Sequence, residues 1–301
     1  MAVFAKEAYR SGVSVRSLLA LRFAIAAGAF WAIVAIRSRP PARLPTSDAS
    51  SRRLTLTGLA LGLGYAAQAG GYFGALTRID ASLTSLLLYV YPALVFAGAV
   101  LLGRERPDNR RVGALVLASG GVVLVLAGGG AGALDGLGVA LGLLAAVCYA
   151  AYILVTDVVV GAFDPFRLGA LVTTGAAVAM WTAGLLTGGI DVHFAAAGWA
   201  WVVALALIST VGAVTAFTLG LARVGPSTAS IVSTIEPVVT VGLVMAVFGE
   251  RLTPVQLAGG ALVLAAVILL QVRGSVRAHV PPADGPAPPP AGAFAHQPAR
   301  G

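Results

Sequence analysis

Long apolar runs, separated by short polar loops, dominate the pattern of this sequence. A helix needs roughly 20 apolar residues to cross the hydrocarbon core of a bilayer, and most of the runs have about that length. The pattern predicts membrane-spanning helices at residues 17–36, 54–76, 81–102, 112–127, 136–160, 166–186, 197–221, 227–248 and 255–272. The predicted fold class is therefore an all-α polytopic membrane protein.

One of these helices occurs twice. Residues 78–106 and 223–251 align without a gap, and the repeated unit is an apolar helix with a proline near its middle. The identical pairs are Arg78/Arg223, Ser82/Ser227, Ser85/Ser230, Pro92/Pro237, Glu105/Glu250 and Arg106/Arg251. The residue before the proline is Tyr91 in the first copy and Glu236 in the second. This difference is the main functional clue in the sequence.

Residues 1–16 are too short and too charged to span a membrane. When the two halves are aligned on their later helices, Lys6 falls near Asp157, so most of an equivalent first helix is missing. We hypothesise that the sequence starts inside this helix and that the natural product begins upstream. A signal peptide is the rival interpretation, but Lys6, Glu7 and Arg10 follow the first apolar residues instead of preceding them.

With that helix restored, each half has five spans. An odd number of spans inverts the second half relative to the first, an arrangement that recurs in transporters. The predicted domains are a truncated first repeat at 1–129, a second repeat at 133–273 and a tail at 274–301. The tail is rich in proline, alanine and glycine, and we predict that it is disordered because it cannot bury enough apolar surface to fold.

Charge is scarce and unevenly placed. Only 11% of the residues are charged, whereas soluble domains have about 25%. The net charge of +8 does not indicate a nucleic-acid partner, because the basic residues lie mainly in short loops. Fourteen of them fall on one side of the predicted topology and five on the other, so we expect both termini of the full-length form in the cytoplasm. A single lysine among 20 basic residues hints at a bacterial source, hence a bacterial inner membrane.

The residues that several classes of enzyme require are absent from this sequence. Lys6 is the only lysine, and no glycine-rich loop precedes it, so a P-loop cannot be built. No histidine lies in a predicted span, which argues against a membrane-embedded Ser/His protease. No Cys, His, Asp or Glu cluster has metal-ligand spacing. We therefore expect no enzymatic activity, no metal and no cofactor.

Glu236 is the first candidate for a substrate or proton site, because it lies near the middle of its predicted span and charges at that depth usually face a cavity. At helical spacing it shares a face with Ser233 and Thr240. Pro237 cannot donate a backbone hydrogen bond and frees the Ser233 carbonyl toward the same region. The alternative is a structural glutamate paired to an arginine such as Arg22.

Other polar residues at membrane depth complete the predicted cavity lining. Arg22 is near the start of its helix, so its side chain either reaches the cavity or snorkels to the interface. Tyr89, Tyr91 and Pro92 lie at the proline region of the first copy. Tyr65 and Gln68 lie in the middle of a glycine-rich span. For that span, Gly58/Gly62 and Gly70/Gly74 predict close helix packing.

These features together resemble the EamA-type branch of the drug/metabolite transporter superfamily. Each half has a proline helix, a loop with Gly-Arg-Glu or Gly-Glu, and a glycine-rich last helix. Residues 75–105 resemble the fourth helix of that family, and residues 222–264 resemble its ninth and tenth. Residues 19–27, with the Arg22-Phe23 pair, resemble the second. The resemblance covers residues 1–273, and the sequence departs from it at the N-terminus.

The resemblance implies a ten-helix secondary carrier with a central cavity, often an exporter of amino acids or other small metabolites. We accordingly expect a carrier that moves a small metabolite outward by alternating access, with lipid, a small-molecule substrate and protons as its partners. Proton coupling would act through Glu236. The alternative is a non-transporting membrane scaffold or an inactive truncated paralogue.

Overall fold

Helices joined by short loops make up nearly all of the chain that the structure describes. A computed structural model covers residues 1–37, 48–128, 135–160, 163–216, 219–220, 223 and 236–271. No β-strand occurs in these ranges. Within these ranges, six segments are long and apolar enough to cross a membrane. The predicted class of all-α polytopic membrane protein is confirmed.

The helices follow the predicted spans closely. The first half contains α1 (Ala2–Arg10), α2 (Val15–Arg37), α3 (Asp48–Ala75), α4 (Ala81–Leu88), α5 (Tyr91–Leu101) and α6 (Asn109–Ala127). The second half contains α7 (Gly136–Val159), α8 (Pro165–Leu186), α9 (Ala196–Ala206), a π-helix (Leu207–Gly212), α10 (Glu236–Phe248) and α11 (Pro254–Gln271).

Local chemistry accounts for where these helices begin and end. The side chains of Asp108, Asp135 and Asp164 accept backbone N–H hydrogen bonds in the first turns of α6, α7 and α8. Such caps satisfy donors that have no partner within the helix. Gly103 and Gly249 follow the ends of α5 and α10 with φ values of 68° and 66°, a region that glycine enters without steric cost.

Contacts between loops show which ends of the helices lie together. Lys6 pairs with Glu250 at 2.5 Å, and Arg78 pairs with Asp135 at 2.9 Å. Arg78, Asp135 and Glu250 belong to loops or helix ends that strict alternation of the spans places on one side, and Lys6 lies in the short helix α1. We call this side the Glu250 face.

The opposite side has its own contacts. Arg104 Nη1 donates to the Leu154 carbonyl at 2.7 Å. The Arg37 guanidinium lies 4.4 Å from the centre of the Phe166 ring. Glu105 lies in the same loop as Arg104, and we call this side the Glu105 face. The second half therefore crosses the membrane inverted relative to the first.

The two halves meet where glycines let helix backbones approach. A Cβ added at Gly121 of α6 would lie 2.7 Å from the Gly259 carbonyl oxygen of α11. A Cβ added at Gly175 of α8 would lie 2.1 Å from the Leu59 carbonyl oxygen of α3. Without a hydrophobic force between helices in lipid, such close packing is a main source of helix association.

The small-residue prediction for α3 holds at most of its positions. Added Cβ atoms at Gly58, Gly62 and Gly74 would lie 2.8, 2.5 and 3.3 Å from neighbouring helices. At Gly70 the prediction is wrong, since nothing lies within 4 Å of an added Cβ, and Gly71 makes the contact instead, at 2.9 Å from a backbone oxygen of α7. The reason is that the helix crosses α7 on the face of Gly71.

Two predicted spans depart from a continuous α-helix. The predicted helix at 81–102 is divided into α4 and α5, and the predicted helix at 197–221 changes into a π-helix after Ala206. Ser233 and the tail at 274–301 lie outside the described residues. The domain boundaries at 129, 133 and 273 remain predictions.

Candidate functional site

The first copy of the proline helix is interrupted beside its proline. α4 ends at Leu88, α5 begins at Tyr91, and Pro92 occupies the first turn of α5. Proline has no backbone N–H, so the Leu88 carbonyl cannot receive the hydrogen bond that a continuous helix would give it. The chain turns through Tyr89 and Val90. Both tyrosines thus lie at a break in the middle of the span.

The Arg22 guanidinium lies inside the protein. The residue is 1% exposed, its Nε donates to Thr210 Oγ1 at 3.1 Å, and its Nη2 donates to the Tyr65 hydroxyl at 3.3 Å. The rings of Phe23 and Phe73 each lie 5.1 Å from its guanidinium carbon. Arg22 therefore does not snorkel to the membrane interface in this structure.

The charge of Arg22 is held by neutral groups. Within the described part of the chain, no carboxylate forms an ion pair with it, and the alternative pairing of Arg22 with Glu236 is not seen there. Aromatic faces and hydroxyl groups stabilise a buried cation only partly. The site is therefore suited to receive an anionic group.

Thr210 is a site residue that sequence reasoning missed. It lies in the π-helix, where its hydroxyl accepts from Arg22 and donates to the Leu205 carbonyl five residues earlier at 3.2 Å. π-Helical turns are rare and occur often at functional sites. The available signal was weak, since Ser209 and Thr210 form a polar pair within an apolar span.

A row of aromatic rings connects the proline break to Arg22. The Tyr91 and Tyr149 ring centroids are 4.5 Å apart, and those of Tyr149 and Tyr152 are 6.1 Å apart. Tyr152 lies 5.7 Å from Tyr65, which lies 5.4 Å from Phe23. The structure thus brings the predicted residues Tyr91 and Tyr65 together through two tyrosines of α7 that the sequence prediction omitted.

The spacing of Tyr149 and Tyr152 was the missed signal. Residues three apart share one face of a helix, so both tyrosines of α7 point the same way. We name Arg22, Tyr65, Tyr91, Tyr149, Tyr152, Thr210, Tyr89, Thr240 and Glu236 the central cluster.

Glu236 begins α10 on the other side of the tyrosine row. Its carboxylate acts electrostatically on Tyr89, Tyr91 and Tyr149, and Thr240 follows it by about one turn in α10. Glu236 is exposed in this structure, whereas Tyr89, Tyr91 and Tyr149 are half-buried.

Gln68 and Pro237 are two further residues of the predicted cavity lining. Gln68 is 5% exposed and lies about one turn from Tyr65 on the same face of α3. Pro237 follows Glu236 in α10.

The arrangement combines a cation, a carboxylate and several aromatic rings with hydroxyl groups. Such a set can bind a small polar molecule by charge pairing at its two ends and by ring contacts between them. The Glu236 carboxylate can also bind and release a proton. No step of bond making or breaking follows from these groups.

Comparison with known proteins agrees with the fold and with the duplicated organisation. Residues 1–127 and 136–272 match the EamA-like transporter family. An uncharacterized transporter of Archaeoglobus fulgidus is 29% identical over 203 residues, which covers 66% of this chain and 70% of that protein. The uncharacterized transporter YcbK of Bacillus subtilis is 26% identical over 264 residues, which covers 85% of this chain and 83% of that protein.

A solved crystal structure has the same fold. It superposes with a TM-score of 0.61 over 89% of this chain and 90% of its own length, at 19% sequence identity. At that identity the likeness supports the fold alone.

Proposed function

Because the chain belongs to the EamA-like transporter family, we propose that it is a secondary transporter that exports a small metabolite, such as an amino acid or a related compound. The substrate site is the central cluster together with Pro92, Gln68, Ser233 and Pro237. Transport proceeds by alternating access of this site to the two faces of the membrane.

The observation that supports this proposal most is the buried Arg22. A cation held only by neutral groups among the described residues is costly in a membrane, and an anionic substrate group offsets that cost. Its partner Thr210 comes from the opposite half. A site built between inverted halves is the place where a rocking motion changes access.

Proton coupling is assigned to Glu236. Glu236 lies near the middle of its predicted span, and its carboxylate acts electrostatically on the half-buried Tyr89 and Tyr91. Protonation removes its charge, so one side chain can carry a proton on one half of the cycle and interact with a cationic group on the other.

The orientation of the protein in the membrane is assigned from its basic residues. The predicted topology puts fourteen basic residues on the side that carries Glu105 and five on the other, so the Glu105 face is assigned to the cytoplasm of a bacterial inner membrane. Both termini of the full-length form are then cytoplasmic. Export moves substrate from the Glu105 face to the Glu250 face.

The experiment is counterflow in proteoliposomes. Purified protein is reconstituted and loaded with unlabelled amino acids and related metabolites, and uptake of each labelled compound is measured with and without a pH gradient. We expect uptake of at least one compound above that of protein-free liposomes. Thermal unfolding with the same compounds gives an independent readout, because a ligand that binds the folded state raises the melting temperature.

Two variants separate the parts of the proposal. Arg22→Gln removes the cation and should abolish the thermal shift by anionic ligands. Glu236→Gln should abolish the pH dependence of uptake, whereas Asp157→Asn, at an exposed end of α7, should leave it unchanged. Uptake equal to that of empty liposomes for every compound would contradict transport. Full pH dependence in Glu236→Gln would contradict proton coupling alone.

A further inference from the structure

Glu250 connects the two halves of the protein on the Glu250 face. Its Oε1 accepts hydrogen bonds from Lys6 Nζ at 2.5 Å and from the Ala81 backbone N–H at 3.0 Å. Its Oε2 accepts a hydrogen bond from the Ser82 backbone N–H at 2.9 Å. The Glu250 side chain is only 8% exposed. Because Glu250 belongs to the second half and its three donors to the first, these contacts hold the halves together.

The carboxylate caps α4. The first N–H groups of a helix have no partner within it, and the positive end of the helix dipole attracts a negative charge. Asp80 precedes α4 and makes no side-chain cap bond. Glu250 supplies this bond instead, from 169 positions away. Since α4 runs from Glu250 to the break at Tyr89, it connects the Glu250 face directly to the central cluster.

The repeat contains a counterpart of Glu250 in a different environment. Glu105 is the equivalent residue of the first half and lies on the opposite face. Its side chain is 41% exposed and pairs with Arg111 of its own half. Two equivalent glutamates therefore differ: Glu250 is buried and joins the halves, whereas Glu105 is exposed and has a partner within one half.

From this asymmetry we infer that Glu250 is a latch: a positioning residue that holds the Glu250 face closed, through α4 and Lys6, during the transport cycle. The inference rests on the proposed transport function. When the carboxylate leaves the α4 N-terminus, α4 is free to move away from α10. The central cluster then opens toward the Glu250 face. In this structure the latch is engaged.

The latch can be tested by distance measurements that do not depend on transport. Spin labels are attached to cysteines at Thr77 and Arg251, two exposed positions on the Glu250 face, after Cys148→Ala removes the only natural cysteine. The protein is measured in lipid nanodiscs. We expect Glu250→Gln to shift the Thr77–Arg251 distribution toward longer distances. Glu105→Gln, the matched change on the opposite face, should not produce that shift.

A milder variant removes one latch contact without changing Glu250. Ala81→Pro deletes the N–H that donates to Glu250 Oε1, at the first position of α4, where proline is favoured. The second repeat already has Pro226 at the equivalent position. The residue before it, Asp80, has φ −59° and ψ 146°, a conformation that suits a residue before proline. This variant should shift the distances in the same direction, by a smaller amount, even if Glu250→Gln does not fold.

The charge-swapped pair Lys6→Glu with Glu250→Lys tests the cap itself. It restores an ion pair, but a lysine at position 250 cannot accept hydrogen bonds from Ala81 and Ser82, so the distances should stay long. Restored short distances would overturn the cap as part of the latch. Unchanged distances in Glu250→Gln or in Ala81→Pro, or an equal shift in Glu105→Gln, would overturn the latch. A counterflow experiment without uptake would contradict the transport function. It would not alter the Thr77–Arg251 distances expected for these variants.

Discussion

Arg22 and Thr210 are joined by a 3.1 Å hydrogen bond across 188 positions of the sequence. Arg22 lies in α2 of the first half, and Thr210 lies in the π-helix of the second. The bond therefore forms only when the inverted halves are packed. It fixes the guanidinium beside the tyrosine row, at the interface where the proposed substrate site is located.

Removing the Thr210 hydroxyl should destabilise the protein. Thr210→Val has nearly the same shape, but it leaves a buried charged donor without its acceptor, which costs about 1–3 kcal/mol. Thermal unfolding in detergent would show the loss. Thr210→Ser keeps the hydroxyl and should stay close to the unmodified protein. Equal unfolding temperatures for the valine and serine variants would show that the bond contributes nothing.

The ring contact between Tyr91 and Tyr149 should give a measurable coupling energy. Their centroids are 4.5 Å apart, and aromatic pairs of this kind contribute about 0.5–1.5 kcal/mol beyond area burial. A double-mutant cycle with Tyr91→Leu and Tyr149→Leu, read by unfolding free energy, measures this term. The control cycle combines Tyr91→Leu with Trp199→Leu, since Trp199 pairs with Phe194 instead. The two substitutions of the control cycle should have additive effects on the unfolding free energy. A non-additive result would show that the coupling measured for Tyr91 and Tyr149 is not specific to their ring contact.

Gly175 should tolerate no side chain. A Cβ there would lie 2.1 Å from the Leu59 carbonyl oxygen, so Gly175→Ala forces α8 away from α3. Overpacking of this kind costs about 1–3 kcal/mol or more, which a lower melting temperature would report. Gly70→Ala in α3 is the control, because nothing lies within 4 Å of its added Cβ. An unchanged melting temperature in Gly175→Ala would mean that α3 and α8 leave room for a Cβ at this crossing.

Acid should weaken the Glu250 contacts. Burial alone would raise the pKa of the Glu250 carboxyl, but the Lys6 ammonium and the N–H groups of Ser82 and Ala81 outweigh it and lower the pKa from its ordinary value of 4.5. A lowered folded-state pKa gives stability that is fully present above the unfolded-state pKa and is lost as the pH falls through the folded-state pKa.

The measurement is the melting temperature of the unmodified protein and of Glu250→Gln from about pH 7 down to about pH 3. Near neutral pH the unmodified protein should have a higher melting temperature than Glu250→Gln. This difference in melting temperature should become smaller in acid. The melting temperature of Asp157→Asn should change with pH in the same way as that of the unmodified protein. A gap that stays constant across the range would contradict the charged cap.

Replacing Pro92 should restore a helix at the cost of function. Pro92→Ala supplies the missing N–H and allows α4 and α5 to join, so we expect equal or higher thermal stability together with reduced counterflow. Pro165→Ala is the control, because Pro165 begins α8, where proline causes no break. Unchanged counterflow in Pro92→Ala would show that the break is not needed for transport.

Much of the architecture follows from the sequence alone. Apolar runs of bilayer length determine the spans, and the repeat that carries Pro92 and Pro237 determines the inverted halves. Arg22, Tyr65, Tyr91 and Glu236 stand out because polar groups at membrane depth are costly. These inferences depend on composition and order along the chain, and none of them requires knowledge of how the helices are rotated.

Only the tertiary structure decided which of these residues meet. It joined Arg22 to Thr210, placed Tyr149 and Tyr152 between Tyr91 and Tyr65, and carried Glu250 to the N-terminus of α4. The physical reason is that lipid is as apolar as the side chains around it, so hydrophobic periodicity does not show which face of a membrane helix turns inward. That choice depends on the close packing of glycines and on a few polar bonds between distant residues.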